Sequence, residues 1–530
     1  MSNFGNILSK TTPAAMRFDF AWPALKNHPA AVAALLTDAI PTYANTCRWF
    51  AGKARPQDRF ELRIVQDMPT GTSLIYFGVL TAFYHDGAEE NYLLPLAFIT
   101  NGQSIDPKGI ITEIDFDGQT GTLVDAIYDL DFQQEMYRRM AQNEVLHAGN
   151  GTVLFYRGKG MDATDQLGGV SSRNLGVDSS NSAMIFGEKY FFKLYRKLFQ
   201  ETNPEVEMVE FITENSAFSQ IPAFCGGVVW QRNQQPDVTL GMMQRMVRSE
   251  KDNWVQTGDY LNDFMFAFVD GNFQIRETVF DQVRLLARRT AQMHQALYAP
   301  QAIDAAFVPE RFDDNYRQFL HKRFADLLER RYTLLIDTYL TLDEIAKPLA
   351  WKFMESKEML DAFADEILTR PFDSLRVRIH GDYHLGQVLA VEDDYVLIDF
   401  EGEPEATITD RKVKHSPLKD VAGMIRSYHY AVCSKLFNSN ETATASPEVL
   451  QRATDRWYKI MKETYFEEYL ETFGWPHPLF KNQSEINYLL LFYLLEKAVY
   501  ELGYELSYRP SWVKIPLKGI VDVIKEVEKL

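Results

Sequence analysis

The sequence reads Arg378-Ile-His-Gly-Asp-Tyr-His-Leu-Gly-Gln387 and, shortly afterwards, Leu397-Ile-Asp-Phe400, and these two stretches decide the fold. Gln387 stands five residues after Asp382, and Asp399 stands 17 residues after it. A carboxylate can accept the proton of a hydroxyl group, while an amide oxygen and a second carboxylate can bind a divalent cation. Alone, His-Gly-Asp is more often a turn, but the two further residues at these intervals favour an active site.

The same order of residues occurs in protein kinases, where a catalytic Asp precedes an Asn by five residues and a metal-binding Asp follows a short hairpin. We therefore predict a phosphoryl-transfer site that uses ATP, with Asp382 as the catalytic base. Gln387 and Asp399 are predicted to bind Mg²⁺, because the Gln carbonyl is as hard a ligand as that of Asn. An exposed hairpin acid is the alternative for Asp399, but the apolar strand predicted before it favours a ligand.

Such a site also needs a cation for the phosphates, usually a strand Lys fixed by a helical Glu. Lys193 lies in the apolar stretch Tyr190-Phe-Phe-Lys-Leu194, and Glu207 follows near the start of a predicted helix. Because a buried Lys is costly unless it is paired, we predict an ion pair between the two. The alternative is that Lys193 reaches solvent and Glu207 merely favours the helix N-terminus.

Two further segments are candidate nucleotide contacts. Ser179-Ser-Asn-Ser182 precedes a predicted strand, and small polar residues in such a turn can donate hydrogen bonds to phosphate. Ser180, Asn181 and Ser182 are therefore candidates, although a plain hairpin turn is the alternative. Gln244 and Met246 end the last predicted strand before a helical region, where an adenine-contacting hinge is expected.

Composition limits the class of protein. The 530 residues are 46% hydrophobic and carry a net charge of −18, without a basic block, so we expect a globular protein that does not bind nucleic acid. The length exceeds what a single core supports, which predicts two or three units. Three widely spaced cysteines, the absence of a secretory pattern at the N-terminus and the shortness of the longest apolar run, 488–495, favour a soluble cytoplasmic protein outside the membrane.

The pattern of residues changes along the chain. Alternating runs predict strands at 60–65, 73–83, 92–99, 183–186, 190–194 and 238–243, with one helix at 204–218. Beyond Asp259 the pattern becomes helical, with predicted helices at 283–297, 315–340, 362–368 and 448–473, and short strands at 377–379 and 395–400. We therefore predict boundaries near residues 120 and 247, giving segments 1–120, 121–247 and 248–530.

Several blocks resemble the maltokinases, bacterial enzymes related to aminoglycoside phosphotransferases and glucosamine kinases. The blocks extend over nearly the whole chain: Arg48-Trp-Phe-Ala-Gly-Lys53, Lys193 to Glu207, Leu286 to Leu297, His380 to Gln387, Asp399-Phe-Glu-Gly-Glu-Pro404, Ser416 to Met424, Lys497 to Glu505 and Arg509-Pro-Ser-Trp512.

The resemblance implies an α+β, bilobal, eukaryotic-protein-kinase-like fold with an additional N-terminal β-rich cap subdomain. On this basis, 1–120 is the cap, 121–247 the nucleotide-binding lobe and 248–530 the catalytic lobe. The implied reaction converts ATP and maltose into ADP and maltose 1-phosphate. Trehalose synthase is implied as a possible partner.

The sugar is expected beside Asp382 in the helical region. Tyr500, Glu501 and Tyr504 are assigned to it, because a carboxylate can bind hydroxyls and aromatic faces can cover a sugar ring. A solvated charge ladder is the alternative.

The other substrate candidates are His380, Glu401, Arg411 and Lys414. Glu401 could contact either the metal's water or the acceptor, and Arg411 and Lys414 could meet phosphate. The alternative for Glu401, Arg411 and Lys414 is that they are charged residues of surface loops. Asp420 is interpreted as a cap or a support of the catalytic loop, and His384 as structural.

Two rivals stay open. The first is a kinase of glucosamine or another amino sugar, which an additional acid facing the substrate amine would favour. The second is a catalytically silent kinase-fold partner of trehalose synthase. Retention of Asp382, Gln387, Asp399 and Lys193 speaks against the second, because a silent scaffold has no physical need for all four.

Overall fold

The computed structural model describes residues 16–529 except 72, 101–103, 149–150, 167–169, 176–179, 270–272, 439–445 and 475. The described chain forms two compact units. The first unit is the chain up to Glu210 together with Ala223–Met246, and the second is Phe211–Pro222 together with Val247–Leu530.

The first unit begins with an antiparallel sheet whose described strands run in the order β1-β5-β6-β4-β3-β2, with β1 parallel to β5 and β12 paired to β4. Both faces of its central strands are buried. Tyr76 and Leu80 of β3 pack against the two helices α1 and α2, whereas Phe77 and Val79 point to the opposite core. The bounds are β1 Met16–Phe18, α1 Pro29–Thr37, α2 Ala39–Thr46, β2 Gln57–Pro69, β3 Leu74–Tyr84, β4 Glu89–Thr100, β5 Ile110–Phe116 and β6 Gln119–Asp125.

A second sheet of the first unit has the described order β7-β8-β13-β14-β11-β10-β9. Helix α3 packs between the two sheets, because Phe132, Met136 and Met140 recur every four residues on its apolar face. The bounds are α3 Leu130–Gln142, β7 Val145–Ala148, β8 Gly151–Arg157, β9 Ser172–Asn174, β10 Ser182–Phe186, β11 Tyr190–Leu194, β12 Lys197–Leu198, α4 Pro204–Asn215, β13 Phe224–Arg232 and β14 Val238–Arg245.

The second unit is mainly helical and contains two small sheets, β15-β18-β19 and β16-β17. Its centre is α13, whose run from Tyr488 to Leu495 is buried. Among the described helices, none is both long and apolar enough to cross a membrane. The bounds are β15 Lys251–Asp252, α5 Asn253–Val269, α6 Glu277–Leu297, β16 Glu310–Arg311, α7 Asp314–Thr338, α8 Ala346–Glu355, α9 Lys357–Thr369, β17 Leu375–Arg376, β18 Val388–Val391, β19 Asp394–Leu397, α10 Ile408–Arg411, α11 Leu418–Asn438, α12 Pro447–Phe473, α13 Gln483–Tyr508 and α14 Lys514–Val527.

Most predicted elements are present with shifted ends, but two predictions need correction. The strand predicted at 377–379 is wrong, because Val377 makes only an isolated pair with His415 before the chain turns into the loop that carries Asp382. The segment 121–247 contains α3 in addition to the single predicted helix. The three-way division at 120 and 247 stays a prediction.

Close packing of α14 against a buried arginine generates a stability prediction. A Cβ added at Gly519 would lie 1.8 Å from Nη1 of Arg426, which is 2% exposed and paired with Glu501. We expect Gly519→Ala to lower the free energy of unfolding by about 1 to 3 kcal/mol, as overpacking does. Thermal unfolding monitored by circular dichroism would measure it.

The matched control is Gly258→Ala on α5, where a Cβ meets nothing within 4 Å. There, the better helix propensity of Ala is expected to raise stability by about 0.5 to 1 kcal/mol. Equal effects of the two substitutions would contradict the close packing at Gly519.

Candidate active site

A buried carboxylate, that of Asp420, fixes the loop that carries Asp382. Asp420, near the start of α11, accepts hydrogen bonds from the backbone N–H groups of His380 at 2.7 Å and Gly381 at 2.9 Å. Gly381 has a φ of 89°, and a Cβ there would lie 3.1 Å from Cα of Gly402. The turn before Asp382 therefore requires glycine.

Asp420 is itself held by a buried network from two other helices. Its Oδ2 lies 3.0 Å from Nε2 of His294, whose Nδ1 lies 2.9 Å from the hydroxyl of Tyr469. Burial raises the pKa of Asp420, but the His294 hydrogen bond and charge and the loop N–H groups outweigh burial, so its pKa is lowered. The support predicted for Asp420 thus has a geometric basis.

The two predicted metal ligands lie side by side. Pairing of Val388 with Leu397 closes the β18–β19 hairpin, and Ile398 N–H donates to the carbonyl of Gln387 at 3.0 Å. This brings the Gln387 amide nitrogen 3.1 Å from Oδ2 of Asp399. Asp399 has a φ of 67°, a left-handed conformation that strains a residue other than glycine and that is often found at functional sites.

Glu401 extends this acidic group. One of its carboxylate oxygens lies within 4.8 Å of a carboxylate oxygen of Asp399. The Glu401 side chain is 25% exposed, and Arg411 lies 4.0 Å from it. Hard oxygen donors at this spacing suit a divalent cation such as Mg²⁺.

Asp382 is paired with a lysine from α13. Nζ of Lys497 lies 3.0 Å from Oδ1 of Asp382. Burial lowers the pKa of Lys497, but the carboxylates of Asp382, Glu403 and Glu501 outweigh burial, so its pKa is raised and it stays charged. The pair therefore fixes the orientation of the Asp382 carboxylate.

A cavity of about 570 Å³ opens beside Asp382. Its volume lies within the range of about 300 to 1,000 Å³ that is usual for small-molecule sites. Successive turns of α13 line one wall, with Tyr500, Glu501 and Tyr504, and Trp512 follows at the end. The three residues assigned to the sugar from the sequence therefore line one cavity together with Asp382.

The other carboxylates that line this cavity already have partners. Glu501 accepts from Arg426 at 2.6 and 3.0 Å, while Glu505 accepts from Arg509 at 2.6 and 3.0 Å. Glu405 accepts from the hydroxyl of Tyr500 at 3.0 Å. The remaining two, Asp252 and Glu403, accept from Val255 N–H and Arg323.

The candidate lysine of the first unit is paired as expected, but with a different residue. Nζ of Lys193 lies 2.8 Å from Oε2 of Glu205, which also accepts from the hydroxyl of Tyr195 at 2.9 Å. Glu205 is 3% exposed, in the first turn of α4. Glu207, which the sequence indicated for this place, lies two residues further along α4, and its own role stays a prediction.

The predicted phosphate-binding turn begins β10, and Ser179 lies outside the described residues. Asn181 Oδ1 accepts from the backbone N–H of Arg196 at 3.3 Å, and Ser182 Oγ accepts from Nε of Arg196 at 2.7 Å. Ser180 is exposed beside them. Their role toward phosphate stays a prediction.

The hinge candidates end the second sheet. Gln244 is buried in β14 between Phe191 and Phe224 of the neighbouring strands. Met246 N–H donates to the carbonyl of Lys189 at 2.8 Å. Their role toward adenine also stays a prediction.

Three substrate candidates have structural partners instead. His380 is 1% exposed, and its Nε2 donates to the carbonyl of Ile398 at 2.9 Å. Nζ of the buried Lys414 donates to Ala305 O, Val308 O and Glu310 at 2.7 to 2.8 Å. Arg411 donates to the carbonyls of Glu401, Pro404 and Ala406 and so clasps the loop after Asp399. These assignments are corrected, because sequence alone does not show which polar groups are buried.

His384 also has a structural place. Its Nδ1 accepts from Gly386 N–H at 3.1 Å, and burial lowers its pKa. The neutral ring therefore caps the turn that leads to Gln387, as the sequence suggested.

Two residues of the site were missed. Lys497 was seen only as part of a charge ladder, although a lysine within an otherwise apolar helix signals a buried partner. The sequence alone does not distinguish Glu205 from Glu207, because both lie in the first turn of the predicted helix. The sequence does indicate Asp382 and Asp399 as candidates, because they are only 17 residues apart and belong to one recognisable pattern.

Solved structures of other proteins share the fold of this chain. A solved structure, a glucosamine kinase in complex with glucosamine, ADP and inorganic phosphate, matches with a TM-score of 0.64 at 16% identity, over 90% of this chain and 96% of that one. A glucosamine kinase in crystal form A matches with a TM-score of 0.63 at 16% identity, over 87% of this chain and 92% of that one. The kinase-like fold class predicted from the sequence is confirmed.

The N-terminal segment identifies the family resemblance more closely. Residues 43–129 match the maltokinase N-terminal cap domain. Glucosamine kinases are similar over 67% of the chain, at 23% identity for Streptacidiphilus jiangxiensis and 24% for Mycolicibacterium smegmatis (strain ATCC 700084 / mc(2)155), where the match covers 74% and 80% of those proteins. The predicted resemblance to the maltokinase family is thereby confirmed.

The electrostatics of the loop after Asp399 generate a pH prediction. Burial raises the pKa of Glu403, but Lys419, Lys497 and Arg323 outweigh it and lower the pKa from 4.5 to about 2. The stability from this carboxylate is therefore complete above about pH 4.5 and is lost as the pH falls toward 2, which amounts to about 3 kcal/mol.

We expect Glu403→Gln to be less stable than the wild type at pH 7, with a difference that shrinks below pH 4.5. Thermal unfolding between pH 7 and pH 3 would measure it. Glu358→Gln, at an exposed carboxylate of α9, is the control, and its difference from the wild type should not change with pH. A constant difference for Glu403→Gln would contradict the assigned pKa.

Proposed function

We propose that this protein is an ATP-dependent sugar kinase that phosphorylates maltose at its anomeric hydroxyl, giving maltose 1-phosphate and ADP. The observation that carries the proposal is the cavity that Asp382 lines together with Tyr500, Glu501 and Tyr504. A proton acceptor, a hydrogen-bonding carboxylate and aromatic faces together suit a sugar hydroxyl.

Asp382 acts as the base in the proposed reaction. Its carboxylate takes the proton from the anomeric hydroxyl as that oxygen bonds to the γ-phosphorus of ATP, and the bond to the bridging oxygen breaks to release ADP. Lys497, 3.0 Å from Asp382, holds the carboxylate in its orientation before the transfer. Such positioning supplies most of the catalysis in phosphoryl transfer.

The donor set around Asp399 fits Mg²⁺. Asp399 and Gln387 would hold the ion through carboxylate and amide oxygens, since the two side chains lie side by side, and Glu401 would hold one of its waters. When bound, the ion neutralises charge on the phosphates. In the first unit, Lys193, held by Glu205, is assigned to the α and β phosphates, with Ser180 to Ser182 as further donors.

Maltose is proposed over an amino sugar for two reasons. The match of residues 43–129 is to a maltokinase cap domain. In addition, the two carboxylates of α13 that line the cavity, Glu501 and Glu505, are neutralised by Arg426 and Arg509, so they suit the hydroxyl groups of a neutral sugar better than an ammonium group. Association with trehalose synthase stays a prediction of the resemblance.

The test of this function is a coupled ADP-release assay with MgATP against maltose, glucose, glucosamine and trehalose. Turnover with maltose, giving a phosphorylated disaccharide that has lost its reducing end, is the expected result. Turnover with glucosamine alone would replace the substrate and retain the mechanism. Binding of MgATP without turnover of any of the four sugars would contradict the proposed function.

The roles of the two aspartates can be separated by substitution. We expect Asp382→Asn to lower kcat by about 10² to 10⁴-fold while MgATP binding stays nearly intact, since only the base is lost. Asp399→Asn should weaken Mg²⁺-dependent ATP binding by about tenfold or more, because a metal ligand is lost. Steady-state kinetics and calorimetric titration with MgATP would measure these effects.

The matched control is Asp393→Asn in the exposed turn of the same hairpin. It should leave both quantities within about twofold of the wild type, as surface substitutions usually do. Normal turnover in Asp382→Asn would remove the role assigned to that residue.

A further inference from the structure

A fully buried arginine connects the N-terminal sheet with the predicted phosphate-binding turn. Arg196 has 0% exposure and follows Lys193 by three residues, just before β12. Burial lowers its pKa, but Asp125 and its other neighbours outweigh burial, so the pKa is raised and the guanidinium stays charged. Placing this charge in the core is costly unless each contact is well formed.

One side of the guanidinium is held by the segment that matches the maltokinase cap domain. Nη2 donates to Oδ2 of Asp125 at 2.6 Å, and Nη1 donates to the carbonyl of Leu93 at 3.0 Å. The ring of Trp49, within the block Arg48 to Lys53, lies 5.1 Å from Cζ. Tyr43 adds a hydrogen bond to Asp125 at 3.0 Å.

The other side of Arg196 reaches the turn. Its Nε donates to Oγ of Ser182 at 2.7 Å, and its backbone N–H donates to Oδ1 of Asn181 at 3.3 Å. Ser182 opens β10, in which the next residue, Ala183, pairs directly with Lys193 of β11. The same arginine therefore fixes the start of the hairpin that presents both the turn and the lysine.

We propose that Arg196 is a positioning residue through which the cap segment holds the Asn181–Ser182 turn in its nucleotide-binding conformation. This inference rests on the proposed function, because it requires the turn to contact ATP. The guanidinium has a planar fork of donors, so it can hold Asp125 and Ser182 at a fixed distance from each other. Loss of the cap contact should then weaken nucleotide binding, although no cap residue of this network is itself assigned to the nucleotide.

The experiment is a double-mutant cycle read by calorimetric titration of the full chain with MgATP, without sugar. Asp125→Asn removes the charge that holds Arg196, and Ser182→Ala removes the acceptor at the turn. We expect Asp125→Asn to raise the Kd about fivefold, in the range of ordinary coupling between sites. In the Ser182→Ala background, the same change should raise it less than about twofold, because the link from the guanidinium to the turn is already cut.

Hydrogen exchange of the unliganded protein supplies a second readout. The peptide covering 180–186 should exchange faster in Asp125→Asn than in the wild type. Should Asp125→Asn be too unstable to purify, Trp49→Leu tests the same link without leaving a buried charge unpaired, and the same results are expected.

The matched control is Lys197→Gln, which breaks the ion pair between Lys197 and Glu90, 2.7 Å apart. That pair also joins the N-terminal sheet to the segment after Lys193, but it bypasses Arg196. Its Kd should stay within about twofold of the wild type, and exchange in 180–186 should not change.

The outcomes separate this inference from the proposed function. An unchanged Kd in Asp125→Asn, or equal effects in both backgrounds, would overturn the inference and leave Arg196 a purely structural residue. If the wild type binds MgATP but phosphorylates no sugar, the proposed function fails while the cycle still decides the inference. If the wild type binds no MgATP, both are overturned.

Discussion

The buried carboxylate of Asp420 is the constraint on which the site depends. A charge in the core must be compensated, and here the compensation comes from His294 and from the N–H groups of His380 and Gly381. Because these donors belong to the loop that precedes Asp382, satisfying the charge also fixes the backbone of the loop. The position of the proposed base is thus set by a buried carboxylate on another element, α11.

The proposed acceptor site follows the same logic in an acidic chain. The net charge is −18, yet cations lie beside the carboxylates that line the proposed acceptor site. Lys497 faces Asp382, and Arg426 lies behind Glu501 with 2% exposure. Each pair fixes an orientation as well as a charge, so the cavity wall is organised before any ligand arrives.

How much the sequence predicts depends on whether a feature is local. The spacing of Asp382, Gln387 and Asp399 is local, and so the hairpin that joins the last two could be foreseen. The partner of Lys193 depends on which side chains of α4 face it. An error of two residues along the helix selects a side chain on the opposite face. His380 and Lys414 donate hydrogen bonds to carbonyl groups that are distant in sequence, and Arg411 donates to carbonyl groups of the loop after Asp399. No periodicity in the sequence signals such contacts.

Both faces of the central strands of the N-terminal sheet are buried, and this affects how the chain folds during synthesis. Phe77 and Leu93 of that sheet share one core with Phe155 and Phe192 of the next. The strands β13 and β14 lie in the middle of the second sheet and come last, so β8 and β11 have open edges until about residue 245 has left the ribosome. The cap segment therefore does not complete its core independently of the second sheet. It reaches its final packing only when nearly half of the chain has been made.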